Sequence, residues 1–114
     1  MHPRCYGAFP LVFRKYVREE QLIPLEDAIR KVTSLPAQRI GLIDRGILRP
    51  GMWADVVVFN PQTIRDTATL AEPDQYPEGI EYVLINGQVV IAQGTHTDNL
   101  PGQVLRHQRN DLLR

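Results

Sequence analysis

Apolar residues recur at helical spacing in the first third of this chain and gather into short runs later. Phe9, Val12, Phe13, Tyr16 and Val17 fall at i, i+3, i+4, i+7 and i+8. That spacing predicts a helix with one apolar face and with Arg14, Lys15, Arg18 and Glu19 turned elsewhere. Residues 1–8 have no period and mix Pro, Gly and polar groups, so they read as a loop. Gln21 to Ile23 breaks the pattern, and Pro24 suits the first position of a second helix. Leu25, Ala28, Ile29 and Val32 form the buried stripe of that helix. Glu26–Arg30 and Asp27–Lys31 stand four apart in the favourable order, and acidic residues early with basic ones late suit the helix dipole.

The stretch Leu35–Asn60 organises the rest of the chain. Pro36 opens a short helical turn, where a missing N–H costs nothing, and Gly41 is its left-handed stop. Arg49-Pro50-Gly51 has Pro and Gly in the order a type II turn requires. Val56-Val57-Val58-Phe59 is a β-branched apolar run suited to a strand covered on both faces, and Asn60-Pro61 ends it. Pro61 to Pro77 is polar and irregular, with room for a brief turn at Thr67 to Leu70. Strands at Ile80–Ile85 and Gln88–Ala92 flank Asn86-Gly87, the strongest short hairpin signal, because a type I′ turn needs positive φ at both central residues. Gly94 marks the end of the hairpin. The tail from Thr95 to Arg114 is polar, with room for a short helix and an end that frays. Helices followed by strands predict an α+β fold.

At 114 residues the chain is one domain at most, with one modest core. The net charge is zero, so no global field favours nucleic acid or a membrane. Its charges are uneven. Residues 1–50 carry nine Lys/Arg against five Asp/Glu, and residues 51–101 carry one against seven, which suits docking of the two parts or plain solvated faces. The single cysteine, Cys5, excludes an internal disulfide. No leader and no membrane-length apolar run is visible, so the expected compartment is the reducing cytoplasm.

The candidate chemistry is sparse. His2, Cys5, His96 and His107 do not stand at metal-ligand spacings, so no metal site is expected from this chain alone. A nucleophilic Cys5 needs an oriented base and an oxyanion hole, which the sequence does not supply. Trp53 beside Met52 reads as sandwich packing or, less simply, a ligand platform. Asp55 reads as an acceptor for backbone N–H groups at a turn. Gly41, Gly46 and Gly51 lack the spacing and the Lys-Ser/Thr of a phosphate loop.

Several stretches together resemble a known family. T-S-L-P-A-Q-R-I-G-L followed by D-R-G-I-L-R-P-G-M-W-A-D-V-V-V-F-N is similar to the closing segment of the amidohydrolase superfamily. The H-P-R-C-Y-G-A-F-P stretch beginning at His2 and the Q-Y-P-E-G-I-E-Y-V stretch beginning at Gln75 narrow the resemblance to D-aminoacylases, the N-acyl-D-amino-acid deacylases.

The resemblance implies that residues 1–46 are the last helices of a metal-dependent (β/α)8 barrel and residues 47–114 part of a composite β-sandwich with a polar tail. A complete barrel needs about 250 residues, so this chain is not one. It further implies that zinc and the catalytic side chains belong to upstream barrel strands, that this chain holds neither cofactor nor catalytic residue, and that its role is structural. His2, Arg4 and Tyr6 are then substrate-adjacent, in a loop leaving the active-site rim. Arg4 has the bidentate geometry a substrate carboxylate accepts; equally, it and His2 fix the loop. Expected partners are a second copy of the chain or an upstream barrel chain. The competing reading is a stand-alone, non-enzymatic interaction module.

Overall fold

A computed structural model describes residues 1–106. Helix α1 (Arg4–Leu11) runs directly into a π-helical segment, Val12–Glu19, and is followed by α2 (Leu25–Val32) and α3 (Ser34–Arg39). Strands β1 (Val56–Phe59), β2 (Ile80–Ile85), β3 (Gln88–Ala92) and β4 (Thr95–His96) then form one antiparallel sheet in the order β1-β2-β3-β4. This is an α+β arrangement, as the order of the patterns predicts.

The start of the chain corrects the loop expected over residues 1–8. Pro3 already has helical φ and ψ, and the amides of Cys5, Tyr6 and Gly7 donate to the carbonyls of His2 and Pro3. Proline pre-sets φ for a helix start. The apolar period is missing because α1 buries only Gly7 and Pro10. Pro10 cannot donate to the ladder, and two residues later the register changes to i→i+5. The amide of Glu20 donates to Lys15 O at 2.8 Å, five residues back. The same register brings Glu19 to Arg14, also five apart, at 2.9 Å. A 3.6-residue period therefore misplaces one side chain. Phe13 is 7% exposed, but Phe9 is left 63% exposed. Gln21, at φ 51°, turns the chain out of the helix.

Helix α2 lies where its stripe predicts, with Ala28 fully buried. Pro24 caps it in an extended conformation, one position before the helix begins. The ion pairs among the described residues are Arg14–Glu19, Arg14–Asp66, Arg45–Asp55 and Arg65–Glu78, so the expected Glu26–Arg30 and Asp27–Lys31 pairs are not formed. Pro36 stands third in α3, still within the turn that needs no intrahelical donor. Gly41, at φ 80°, closes α3 with two bonds: Leu42 N–H to Ala37 O at 2.9 Å and its own N–H to Gln38 O at 3.2 Å. That pattern satisfies two end carbonyls and requires a left-handed residue. The Arg49–Met52 turn forms as expected, with Met52 N–H on Arg49 O at 3.1 Å.

Strand β1 departs from its prediction. Among the described residues it is an edge strand, paired only with β2, and Val57 and Val58 on opposite faces are 53% and 47% exposed. The β2–β3 hairpin has the predicted bounds and turn, Asn86 and Gly87 both having positive φ. Gly94 does more than end it. Gln93-Gly94 makes a second tight turn into β4, where the polar tail hid a strand. The remainder of the possible tail helix, including His107, lies outside the described residues.

The core sits where helices meet sheet. Phe13, Ala28 and Ile64 are its buried members, with Phe59 and Ile80 packed against them from the sheet. The rings of Phe13 and Phe59 are 5.1 Å apart. Ile64, in the irregular connection, is the least predictable member. Gly79 opposite it has φ 85°, and a Cβ there would lie 2.4 Å from Ile64 N. No large side chain is completely buried among the described residues. The radius of gyration, 15.7 Å, exceeds the roughly 13 Å of a compact domain of this length.

Candidate functional site

Of the three substrate-adjacent candidates, Arg4 and Tyr6 lie in the first turns of α1, and His2 in the irregular residues before it. His2 precedes the helix, and its Nδ1 accepts the Arg4 backbone N–H at 3.1 Å. Arg4 is exposed and makes no ion pair among the described residues. Tyr6 is half-buried and meets Tyr76 edge to face, ring centroids 5.4 Å apart. Residues two apart on a helix do not face one another, so Arg4 and Tyr6 do not converge on one point. The guanidinium is available to a carboxylate, while Tyr6 is engaged with the loop beyond β1.

Cys5 is exposed in the same turn. His96 lies on β4, its Nδ1 against the Thr97 carbonyl oxygen. Among the described residues no group of three or more His, Cys, Asp or Glu side chains is arranged to hold a metal ion. The donor set in hand therefore does not fit a zinc centre, which takes at least three protein ligands. Among the described residues, no helix is long and apolar enough to cross a membrane.

Two polar assemblies escaped the sequence reading. In the first, Trp53 is half-exposed and held by polar partners. Its Nε1–H donates to Asp44 Oδ2 at 3.0 Å, and the Arg45 guanidinium lies 5.1 Å from the centre of its ring system. Arg45 also pairs with Asp55, whose other oxygen accepts the Asn86 backbone N–H at 2.9 Å. Asp55 is thus a turn acceptor, as predicted, and also the link between the Asp44–Arg45 turn and the hairpin tip. In the second, Asp66 receives the Arg14 side chain and has its Cβ against Gly7, where an added Cβ would lie only 2.8 Å away. The Asp66 and Glu19 carboxylates push the Arg14 pKa up, holding the guanidinium charged. Neither pairing has a local sequence signature, since Arg14 and Asp66 are 52 residues apart. Gln75–Gly79 is visible as a motif, but the contact of Tyr76 with Tyr6 is not.

Residues 1–91 match the profile of the amidohydrolase family. N-acyl-D-glutamate deacylase of Alcaligenes xylosoxydans xylosoxydans is 49% identical over 92% of this chain and 21% of its own length. D-aminoacylase of the same organism is 45% identical over 91% of this chain and 22% of its own. The crystal structure of N-acyl-D-glutamate deacylase from Bordetella bronchiseptica, complexed with zinc and a phosphonate mimic of the tetrahedral intermediate, superposes with a TM-score of 0.85. Its sequence is 50% identical, and the match covers 92% of this chain and 22% of that one. The chain spans about a fifth of the length of the curated relatives it matches. It belongs to the amidohydrolase family.

Proposed function

We propose that this chain is the C-terminal part of an N-acyl-D-amino-acid deacylase. In the complete enzyme, water is added across the amide, the C–N bond breaks, and a carboxylate and a free D-amino acid result. On this reading residues 1–46 close the barrel and residues 47–114 contribute strands to a composite β-sandwich. The metal ligands and the catalytic groups come from upstream polypeptide, and this chain alone is inactive. Arg4 lies at the rim, where its guanidinium meets the substrate carboxylate, with His2 and Tyr6 beside it.

The observation that carries this reading is the match itself: nearly half the residues are identical to deacylases over nine-tenths of this chain, within only a fifth of theirs. Surface area supports it. The chain exposes 8749 Å², against about 6,300 Å² for a compact folded monomer of its mass. The surplus is comparable to what one partner loses in a large permanent interface. The open edge at β1 and the half-exposed Val57 and Val58 place part of that surplus on the sheet. The partner is then the upstream barrel polypeptide, with self-association where that polypeptide is missing.

Light scattering and zinc content on the purified chain, then release of D-glutamate from N-acetyl-D-glutamate with and without an upstream barrel chain, test the proposal. Activity only in the mixture is the expected result. A folded, monodisperse monomer that never restores activity favours the stand-alone module, and stoichiometric zinc or hydrolysis by the chain alone overturns the proposal.

A further inference from the structure

The segment between Arg65 and Glu78 is a loop closed at its neck. Arg65 and Glu78 exchange two backbone hydrogen bonds, each 3.0 Å, and their side chains pair at 2.8 Å. Just inside the neck, Thr67 Oγ1–H donates to Tyr76 O at 2.7 Å, tying the two legs together. Each leg then sends one side chain onto the first helix. Asp66, from the ascending leg, sits on Gly7 and binds Arg14. Tyr76, from the descending leg, places its ring edge-to-face with Tyr6. Tyr76 is 80% exposed.

We infer that this loop is a strap that positions the start of α1, with Asp66 as its anchor and Tyr76 as its adjustable contact. The anchor admits no side chain at position 7, because a Cβ there meets Asp66. Tyr76 bears on the turn carrying Arg4 and Tyr6, and the amides of that turn close on His2 and Pro3. Beyond the His2 Nδ1 contact with the Arg4 N–H, the N-cap Pro3 supplies no side-chain bond, so packing from outside adds to the order of this turn. Both are positioning residues. Their meaning for substrate binding rests on the deacylase reading, but their effect on the helix does not.

Hydrogen exchange of the intact chain, followed by mass spectrometry, tests this without any activity. An edge-to-face ring pair is worth enough that Tyr76→Ala is expected to speed exchange at the Cys5, Tyr6 and Gly7 amides by about two- to tenfold. Tyr76→Phe, which keeps the ring, restores the parent rate, and the β2–β3 amides stay unchanged in both. The exposed thiol of Cys5 gives a second readout through its labelling rate. Unchanged exchange and labelling in Tyr76→Ala overturns the strap, as does equal acceleration in the hairpin. Because Tyr76 is exposed, its loss leaves the fold intact. Failure of the strap and failure of the deacylase reading are therefore separable.

Discussion

The hairpin and the first helix are built on opposite terms. In the β2–β3 hairpin, local chemistry and the final strand bounds agree, because Asn86-Gly87 has the positive φ angles that reverse the chain. Asp55 and Ala54 then hold its amides, and a bulge falls at Val83/Leu84. In the first helix, local chemistry and structure diverge. It begins in a stretch with no period, contains Pro10, changes register after it, and depends on Asp66 and Tyr76 from far along the chain. Elements whose partners are sequence neighbours specify themselves, whereas elements that serve as docking surfaces take their geometry from what docks.

The largest expected effect breaks the joint between these regions. Phe13→Ala removes the ring that meets Phe59 and is expected to cost about 3–5 kcal/mol, read from urea unfolding. The loss should appear in both the helical and the sheet signals, since Phe13 belongs to the core they share. Gly79→Ala comes next. It combines a left-handed φ with a Cβ in the Ile64 backbone, and about 2–4 kcal/mol is expected, measured the same way.

Gly87→Ala sharpens the contrast because it strains the turn and reaches only its neighbour Ala54, not the helices. About 1 kcal/mol is expected, with exchange rising in β2 and β3 but not in α1. The smallest effect concerns pH. The Arg65 side chain, through its hydrogen bond and then its charge, holds the Glu78 carboxyl below its ordinary pKa. A depressed carboxyl pKa gives stability that is full above the unfolded value and is lost as pH falls through the folded one. Glu78→Gln should therefore lower the unfolding midpoint slightly near neutrality, flatten its acid-side fall, and change little at low pH, where Glu78 is already protonated. Both groups are exposed, so the shift in midpoint will be small.

Much of the fold is legible in the sequence. The stripe of α2, the stop at Gly41, the turn at Pro50-Gly51 and the hairpin each come from residues within a few positions of one another. Of the candidate site, only the identities were legible. Arg4 and Tyr6 could be named from a motif, but their helical setting depends on Pro3 and on a strap whose Asp66 and Tyr76 lie far along the chain. Trp53 shows the same limit. Its context marks it as a packing residue but does not name Asp44 and Arg45, the side chains that hold it.

The sequence by itself determined the α+β order, the turns and the family resemblance, since each of these lies in short-range pattern. Only the tertiary structure decided the π register, the burial of Ile64, the exposure of β1 and the meeting of Tyr76 with Tyr6. Those features join residues through space, where packing and a shared carboxylate outweigh the few tenths of a kcal/mol that local preference typically supplies.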